Sequence, residues 1–287
     1  MNHQKVRLAP GVYFVATPIG TARDITLRAL DILASADVIA AEDTRSMRRL
    51  MDIHGVPLGD RPLLAYHDHN GSAVRPKLLQ YLEQGKSVAY ASEAGMPLIA
   101  DPGFDLARAA QHAGYLVTIA PGASAVLSAL ALAGLPTDAF FFAGFLPNAA
   151  GARRSALESL REIPGTLVFY ESPKRVAAMM ADAATVLGQE RAAAICRELT
   201  KKFEEVRRGT LGELAEQISG TTLKGEIVVV IDRQRSESVS EVDVELALRQ
   251  ALATMSVKDA ADLVSQAHNL PRRKLYQLAL KLGKDDG

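Results

Sequence analysis

The stretch SVAYASEAGMPLIADPG, residues 87–103, contains a strand, a turn and a helix start in direct succession. The apolar run Ser87–Ala91 is typical of a buried strand. Ser92–Pro97 follows with small and turn-forming residues, which let a backbone approach a ligand closely. Asp101-Pro102-Gly103 then opens a helical pattern that begins near Phe104. In an open α/β sheet such a loop lies at the carboxyl ends of the strands, where ligands bind, although an ordinary strand-to-helix turn would share this pattern.

The composition is that of a globular chain with room for two domains: 287 residues, 48% of them hydrophobic, and a formal net charge of zero. No stretch approaches the ~18 apolar residues of a membrane span, and the N-terminus lacks a signal-peptide core. A single cysteine, Cys196, excludes an internal disulfide and predicts a cytoplasmic protein. Any nucleic-acid partner must be attracted by local basic patches, because the overall charge is neutral.

The first half, residues 1–121, alternates predicted strands with predicted helices. Leucines at helical spacing follow the first strand, with Asp24 as the expected cap of a helix that runs to Ala34. Such alternation predicts an α/β domain with a mostly parallel sheet and helices on both faces. The predicted strands are Val12–Ala16, Val38–Ala41, Leu63–Tyr66, Ser87–Ala91 and Leu116–Ala120.

The second half, residues 122–233, begins after a hinge of small residues at Pro121–Ala125 and predicts a second α/β domain. Two of its apolar runs, Ala192–Leu199 and Phe203–Gly209, are close enough to pair as antiparallel strands around Lys201 and Lys202. The second sheet is therefore expected to be mixed. Its other predicted strands are Ala139–Leu146, Thr166–Tyr170 and Glu226–Ile231.

A polar linker, Arg233–Ser238, leads into a small C-terminal helical domain, residues 240–287. Three helical patterns, at 242–254, 257–267 and 271–282, are typical of a helix-turn-helix-like unit. Acids and bases are balanced in this segment, which favours a packing module over a nucleic-acid contact.

Several familiar motifs are absent or weak. No Gly-x-Gly-x-x-Gly follows a strand, which leaves a dinucleotide fold unsupported. His67-Asp68-His69 is a poor metal site, because alternate side chains of an extended segment diverge unless a turn brings them together. Zinc-finger spacing is also absent, so we expect no metal. Cys196 lies within an apolar run and is expected to be a buried hydrophobe, not a nucleophile.

Polar clusters follow seven of the predicted strands. Parallel strands end at one edge of a sheet, so these clusters would line a single cleft if the two sheets turn those edges toward each other. The clusters are Thr17-Pro18, Glu42–Arg45, His67–Asn70, Ser92–Pro97, Ser124, Glu171–Pro173 and Arg197–Lys202.

These motifs, taken in order, resemble those of the RsmI-type methyltransferases of small-subunit rRNA, which belong to the tetrapyrrole-methylase fold group. The resemblance runs from about Val12 to Ile231, and the C-terminal helices are similar as well. The matching motifs are Val15–Gly20 with Asp24–Thr26, Ala41–Arg45, Tyr66–Asn70, Pro97–Gly103, Phe169–Pro173, Arg197–Lys202 and Lys224–Val228.

The resemblance implies two α/β domains with S-adenosylmethionine in the cleft between them, and a homodimer in the cytoplasm. The implied reaction methylates the ribose 2′-hydroxyl of a cytidine in the decoding region of the 16S rRNA of the small ribosomal subunit. Two alternatives stay open: a methylase of a small tetrapyrrole or corrin ring, and a non-enzymatic ribosome-binding factor.

The resemblance also assigns residue roles by position. The expected cofactor-binding residues are Thr17, Pro18, Glu93, Gly95, Met96, Ser124, Ala125, Tyr170, Gly225 and Glu226. The expected catalytic residues are Asp43, Arg45, Glu171, Glu198 and Lys201, with His67 as an alternative base. The expected phosphate contacts are Arg153, Arg154, Lys174, Arg175, Arg207, Arg208, Arg272, Arg273 and Lys274. Asp43 and Glu198 could equally cap helices or pair with Arg45 and Lys201.

The chain departs from the family pattern at a few positions. The usual Ser-Asp-Ala-Gly-Thr-Pro has Glu93 and Met96 here, and Asn-Leu after the first glycine is Thr21-Ala22. Glu93 keeps the carboxylate but moves it outward by one methylene, so contacts to the cofactor are expected to differ near this loop.

Overall fold

The computed structural model describes residues 3–99, 103–234, 241–268 and 272–285. The chain divides into two compact units, residues 1–233 and residues 234–287. Within the described residues of the first unit lie two five-stranded sheets. The predicted boundary between two α/β domains near residue 121 lies inside this unit and stays a prediction.

The first sheet has the strand order β3-β2-β4-β1-β5, and its strands pair in parallel, as predicted. Its strands are β1 (Gly11–Val15), β2 (Val38–Ala41), β3 (Leu63–Ala65), β4 (Ser87–Ala91) and β5 (Leu116–Ala120). The helices after β1 to β4 are α1 (Leu27–Ser35), α2 (Thr44–Ile53), α3 (Gly71–Glu83) and α4 (Phe104–His112). Buried residues of α1 and α2 form one apolar cluster with the strands, and those of α3 and α4 form another.

The second sheet has the order β6-β7-β10-β8-β9 and is mixed, as predicted. β6 and β7 are parallel, whereas β10 is antiparallel to both of its neighbours and β8 and β9 form the predicted antiparallel pair. Its strands are β6 (Phe140–Phe145), β7 (Thr166–Glu171), β8 (Ala192–Arg197), β9 (Glu205–Thr210) and β10 (Ile227–Ile231). Its helices are α5 (Ala125–Ala133), α6 (Ala150–Ser159), α7 (Val176–Leu187) and α8 (Leu211–Ile218).

Two details of this unit differ from the sequence expectations. Asp24 does not cap α1: it ends a short 3₁₀ turn, and the Thr26 side chain accepts the hydrogen bond from the Ala29 N–H. Helix α8 was not predicted. It begins with a capping box in which Thr210 and Glu213 each accept a hydrogen bond from the other's backbone N–H, a local signal that was present in the sequence.

The second unit contains three helices within the residues described there, as predicted. They are α9 (Glu241–Leu252), α10 (Val257–His268) and α11 (Arg272–Asp285). Their apolar faces share one core that includes Leu248, Ala260 and Ala279. No helix in the described parts of the chain is long and apolar enough to cross a membrane.

Candidate functional site

A cleft of about 680 Å³ opens at the carboxyl ends of the first sheet, and its opposite wall comes from the second sheet. Nine of the ten expected cofactor-binding residues line it, namely Pro18, Glu93, Gly95, Met96, Ser124, Ala125, Tyr170, Gly225 and Glu226. The Asp101-Pro102 helix start lies outside the described residues, and Gly103 precedes α4. The loops that the sequence assigned to the cofactor therefore lie around one cavity. The role of each residue stays a prediction.

The loop after β4 is joined to the loop after β1 by backbone hydrogen bonds. The Thr17 N–H donates to the Gly95 carbonyl and the Gly95 N–H donates to the Thr17 carbonyl, each at 3.0 Å. The Ser92 hydroxyl also donates to the Gly95 carbonyl at 3.0 Å. Thr17, the tenth expected residue, is buried and does not line the main cleft. Thr17 therefore holds the cleft-lining Gly95 in position through these backbone hydrogen bonds.

Two glutamates form an acidic wall on the side of the first sheet. The Glu93 N–H donates to the Glu42 carboxylate at 3.2 Å, and both residues line the cleft. Burial raises the pKa of the Glu93 carboxyl, and the negative charges of Glu42, Asp43 and Glu226 raise it further. This wall favours a cationic ligand, because bound positive charge would relieve the repulsion between the carboxylates.

Lys201 lies opposite this wall, between two carboxylates. Its Nζ is 2.9 Å from both Glu198 Oε1 and Glu226 Oε2. Burial lowers the pKa of Lys201, but the hydrogen bonds to Glu226 and Glu198 outweigh it and leave the pKa above its usual value. The same hydrogen bond from Lys201 lowers the pKa of Glu198. Lys201 is therefore a fixed positive charge at the cleft and not a neutral base.

Close packing behind Lys201 depends on Gly225. Glu198 Oε1 also accepts a hydrogen bond from the Glu226 N–H at 3.0 Å, which holds its carboxylate against the Gly225 backbone. A Cβ at Gly225 would overlap the Glu198 carboxylate, and the φ of +88° at Gly225 is itself unfavourable for other residues. Glu198 does not line the cleft but positions the lysine that does.

Glu171 is the last residue of β7. It lines the cleft, although it is almost completely buried. Its Oε1 accepts a hydrogen bond from the Ser172 N–H at 2.7 Å, and its Oε2 lies 3.2 Å from Arg175. Arg175 also donates to the Leu146 carbonyl. Arg175 therefore neutralises a buried carboxylate, a role that competes with the expected phosphate contact.

Like Glu198, three other expected catalytic residues, Asp43, Arg45 and His67, do not line the cleft. Asp43 caps α2, accepting hydrogen bonds from the Arg45 N–H at 2.7 Å and the Ser46 N–H at 3.3 Å, and pairs with the Arg45 side chain. These hydrogen bonds, with the one from the Arg45 side chain largest, lower its pKa. This agrees with the capping alternative, and Ser46 and Glu42 line the cleft instead. The His67 ring lies 6.0 Å from that of His69 and does not line the cleft, so its role as an alternative base stays a prediction.

Several expected phosphate contacts are engaged inside the protein. Arg153 is buried and forms an ion pair with Asp182 at 2.6 Å, so its guanidinium cannot reach a phosphate, and this expectation was wrong. Arg208 donates to backbone carbonyls at the end of α5, and Arg207 pairs with Glu205 at 2.8 Å. Arg154 shares Asp182 but is mostly exposed. Lys174 is also exposed.

The remaining expected phosphate contacts begin α11. Arg272 is exposed and pairs with Asp262 of α10, and Arg273 and Lys274 are exposed as well. A phosphate contact by these three residues stays a prediction.

Sequence reasoning missed several residues that line the cleft. The missed positions include Ile19, Gly20, Ser46 and Phe145. Glu42, Ser172 and Leu199 belong to the polar clusters that were expected to line the cleft, and they do line it, although no role was assigned to them. No local signal pointed to Phe145.

Comparisons with known proteins agree with this architecture. Residues 11–215 match the model of a family described as Tetrapyrrole (Corrin/Porphyrin) Methylases, and residues 238–283 match the RsmI C-terminal HTH domain. The chain is 45% identical to ribosomal RNA small subunit methyltransferase I of Mesorhizobium japonicum over 98% of this chain and 96% of the relative. The chain belongs to the family of small-subunit rRNA methyltransferase I.

Other members and a more distant structure extend this result. The family member of Escherichia coli O157:H7 is 38% identical, with 98% of each chain covered. Uroporphyrin-III C-methyltransferase of Thermus thermophilus, complexed with S-adenyl homocysteine, matches with a TM-score of 0.55 at 18% identity, covering 81% of this chain and 99% of that chain. The latter likeness shows the fold that small-subunit rRNA methyltransferase I shares with the tetrapyrrole methylases.

Proposed function

We propose that this chain uses S-adenosylmethionine to methylate the ribose 2′-hydroxyl of a cytidine in the decoding region of the 16S rRNA. The observation that carries the proposal is the cleft, because this member of a family of rRNA methyltransferases gathers nine expected cofactor positions around one cavity. The choice of a cytidine, and of its 2′-hydroxyl as the methylated group, rests on the family resemblance alone.

The cleft suits S-adenosylmethionine in size and charge. Cofactor cavities usually measure about 300–1,000 Å³, and this one measures about 680 Å³. Ser124 and Ala125 line it at the start of α5, and the N–H groups of a helix N-terminus suit the carboxylate of the cofactor. The acidic wall of Glu42 and Glu93 suits its ammonium and sulfonium groups.

When bound, the cofactor supplies a methyl group on a positively charged sulfur, which is already a good leaving group. The chain must then align the hydroxyl oxygen with the methyl group and exclude water. The hydroxyl is a weak nucleophile, so its oxygen needs stabilisation as its proton passes to a carboxylate of the cleft or to solvent water. Lys201 would provide this as a fixed ammonium, with Glu198 and Glu226 holding it in position.

The resemblance also supports a cytoplasmic homodimer, which we include in the proposal. Apolar side chains are exposed on β5 and β6, the edge strands of the two sheets, and include Leu116, Ile119, Phe140 and Phe141. Sedimentation of the pure protein tests the dimer, and a monomer at micromolar concentration would contradict it.

The proposed activity is tested with labelled S-adenosylmethionine and small ribosomal subunits from cells that lack this protein. We expect label on one cytidine ribose of the 16S rRNA. Cofactor binding without label transfer would redirect the search to small-ring substrates. If the protein neither binds the cofactor nor transfers a methyl group, the remaining alternative is a non-enzymatic ribosome-binding factor.

A further inference from the structure

The turn between β8 and β9, residues Glu198–Glu204, presents an aromatic ring beside the cleft. Phe203 is 64% exposed and follows the cleft-lining Lys201 by two residues. Two residues of extended chain span at most about 7 Å, so the two backbone positions are close. No step of the proposed chemistry uses Phe203. An exposed phenyl ring is nevertheless unfavourable in free energy, because its apolar surface stays in contact with water.

The β8–β9 turn is internally ordered. The Lys201 N–H donates to the Glu198 carbonyl at 3.0 Å, and the Glu204 N–H donates to the Lys201 carbonyl at 3.1 Å. The Glu204 side chain in turn accepts a hydrogen bond from the Thr200 N–H at 2.7 Å. Leu199 is buried in the apolar cluster beneath the turn. The ring of Phe203 is therefore carried on a fixed backbone.

The same turn is also attached to the first sheet. The Thr21 N–H donates to the Thr200 hydroxyl at 3.1 Å, and the Thr21 hydroxyl donates to the Thr200 carbonyl. A Cβ at Gly20 would lie 2.6 Å from the Thr200 hydroxyl, so only glycine allows this approach. The contact spans the cleft between loops of the two sheets, and it fixes the position of Phe203 relative to the cofactor site.

One cation, Lys202, lies against the ring, and Glu204 follows the ring in the sequence. Lys202 is exposed, and its Nζ lies 5.5 Å from the centre of the Phe203 ring. An exposed aromatic side chain next to cations is a common arrangement for binding single-stranded RNA, in which an unstacked base packs on the ring and the cations contact phosphates.

We infer that Phe203 is a stacking platform for an unpaired base of the rRNA beside the target ribose, and that Lys202 contacts the adjoining phosphate. The inference rests on the proposed rRNA methylation. A ribose can enter the cleft only if its nucleotide leaves the helical stack, and a flat apolar surface at the entrance would stabilise that open form. The alternative is that a protein partner covers the ring, and the experiment must distinguish this alternative from base stacking.

The test compares Phe203→Ala, Phe203→Leu and Phe203→Trp in the full-length protein. Loss of base stacking reduces affinity roughly 5- to 150-fold in comparable sites, so we expect Phe203→Ala to raise KM for small subunits about 10-fold or more. Tryptophan should restore KM, whereas leucine, which is apolar but not aromatic, should not. The affinity for S-adenosylmethionine alone, measured by calorimetry, should be unchanged.

Phe104→Ala is the matched control. Phe104 is also 64% exposed, and Arg108 lies 5.5 Å from its ring centre, but Phe104 begins α4 and is not part of the β8–β9 turn that carries Lys201. We expect its KM for small subunits to equal that of the unchanged protein.

Three results would overturn the inference. One is wild-type KM for Phe203→Ala when the unchanged protein methylates the subunits. Another is full rescue by leucine. The third is a loss of activity that accompanies a change in sedimentation, which would assign the ring to a protein interface. If the unchanged protein transfers no methyl group, the proposed function itself fails, and binding of the subunits by Phe203→Ala still tests the platform.

Discussion

Two charge clusters of this chain have the same design with opposite signs. Asp182 lies between Arg153 and Arg154, at 2.6 Å from each, and Lys201 lies between Glu198 and Glu226, at 2.9 Å from each. The first cluster joins α6 to α7, and both Asp182 and Arg153 are buried. The second lies at the cleft, and 71% of the Glu226 side chain is exposed. We therefore expect similar geometry to serve stability in the buried cluster and the proposed chemistry in the open one.

The largest effect is expected from breaking the buried cluster. Asp182→Asn leaves the Arg153 charge buried without its carboxylate, which should lower the free energy of unfolding by about 3 kcal/mol. Urea denaturation followed by circular dichroism measures this loss, and methyl transfer by the folded protein should stay normal. The control is Arg154→Ala, which removes a mostly exposed partner and should cost less than about 1 kcal/mol. Equal losses for the two variants would contradict the burial argument.

The buried cluster also predicts the direction of an acid effect. Burial raises the pKa of Asp182, but hydrogen bonds from Arg154 and Arg153 outweigh it, and the pKa lies below its usual 3.8. A lowered carboxyl pKa contributes stability that is complete above the unfolded-state value and is lost as pH falls through the folded-state value. The stability gap between the unchanged protein and Asp182→Asn should therefore close only in strong acid.

A smaller effect, on rate and not on stability, is expected at the open cluster. Lys201→Met removes the ammonium expected to stabilise the attacking oxygen, which should lower kcat for methyl transfer about 30-fold. The melting temperature should change little, because partly exposed ion pairs contribute about 0–1 kcal/mol. Lys77→Met on α3, an exposed lysine away from the cleft, is the control. A wild-type kcat for Lys201→Met would exclude the proposed role.

The smallest effect sharpens the comparison at the acidic wall. Glu93→Gln should weaken S-adenosylmethionine binding about 5-fold, the equivalent of one exposed ion pair. S-adenosylhomocysteine lacks the sulfonium charge but keeps the ammonium, so its affinity should fall less than that of S-adenosylmethionine. Because the pKa of Glu93 is raised, the cation preference of the unchanged protein should fall as pH drops through that raised value, and Glu93→Gln should lack this dependence. Equal weakening of both ligands would show that Glu93 does not act on the sulfonium charge.

The sequence predicted the elements well where the signal is local. Strand Ser87–Ala91 has the predicted bounds and helix Phe104–His112 begins where predicted, because each is an apolar pattern bounded by turn-forming residues. The mixed second sheet was also predicted, since the short separation of β8 and β9 requires an antiparallel pair.

The site was predicted less completely, because side-chain partners distant in sequence leave no local signal. Asp43 and Glu42 are adjacent, yet one caps α2 and the other lines the cleft. Arg153 looked like a surface cation in a charged helix until its partner Asp182, 29 residues away, accounted for its burial. The contact of Thr21 with Thr200 is likewise invisible in either segment alone.

The position of Cys196 matters for a protein that holds an alkylating cofactor. Its strand neighbour Val228 lines the cleft, whereas Cys196 itself is fully buried. Burial raises the pKa of its thiol to about 11. The thiolate is the form that attacks methyl donors, and almost none of it exists at neutral pH. The only thiol of the chain is thus held protonated on the strand next to one that lines the cleft, in the form that does not attack a methyl donor.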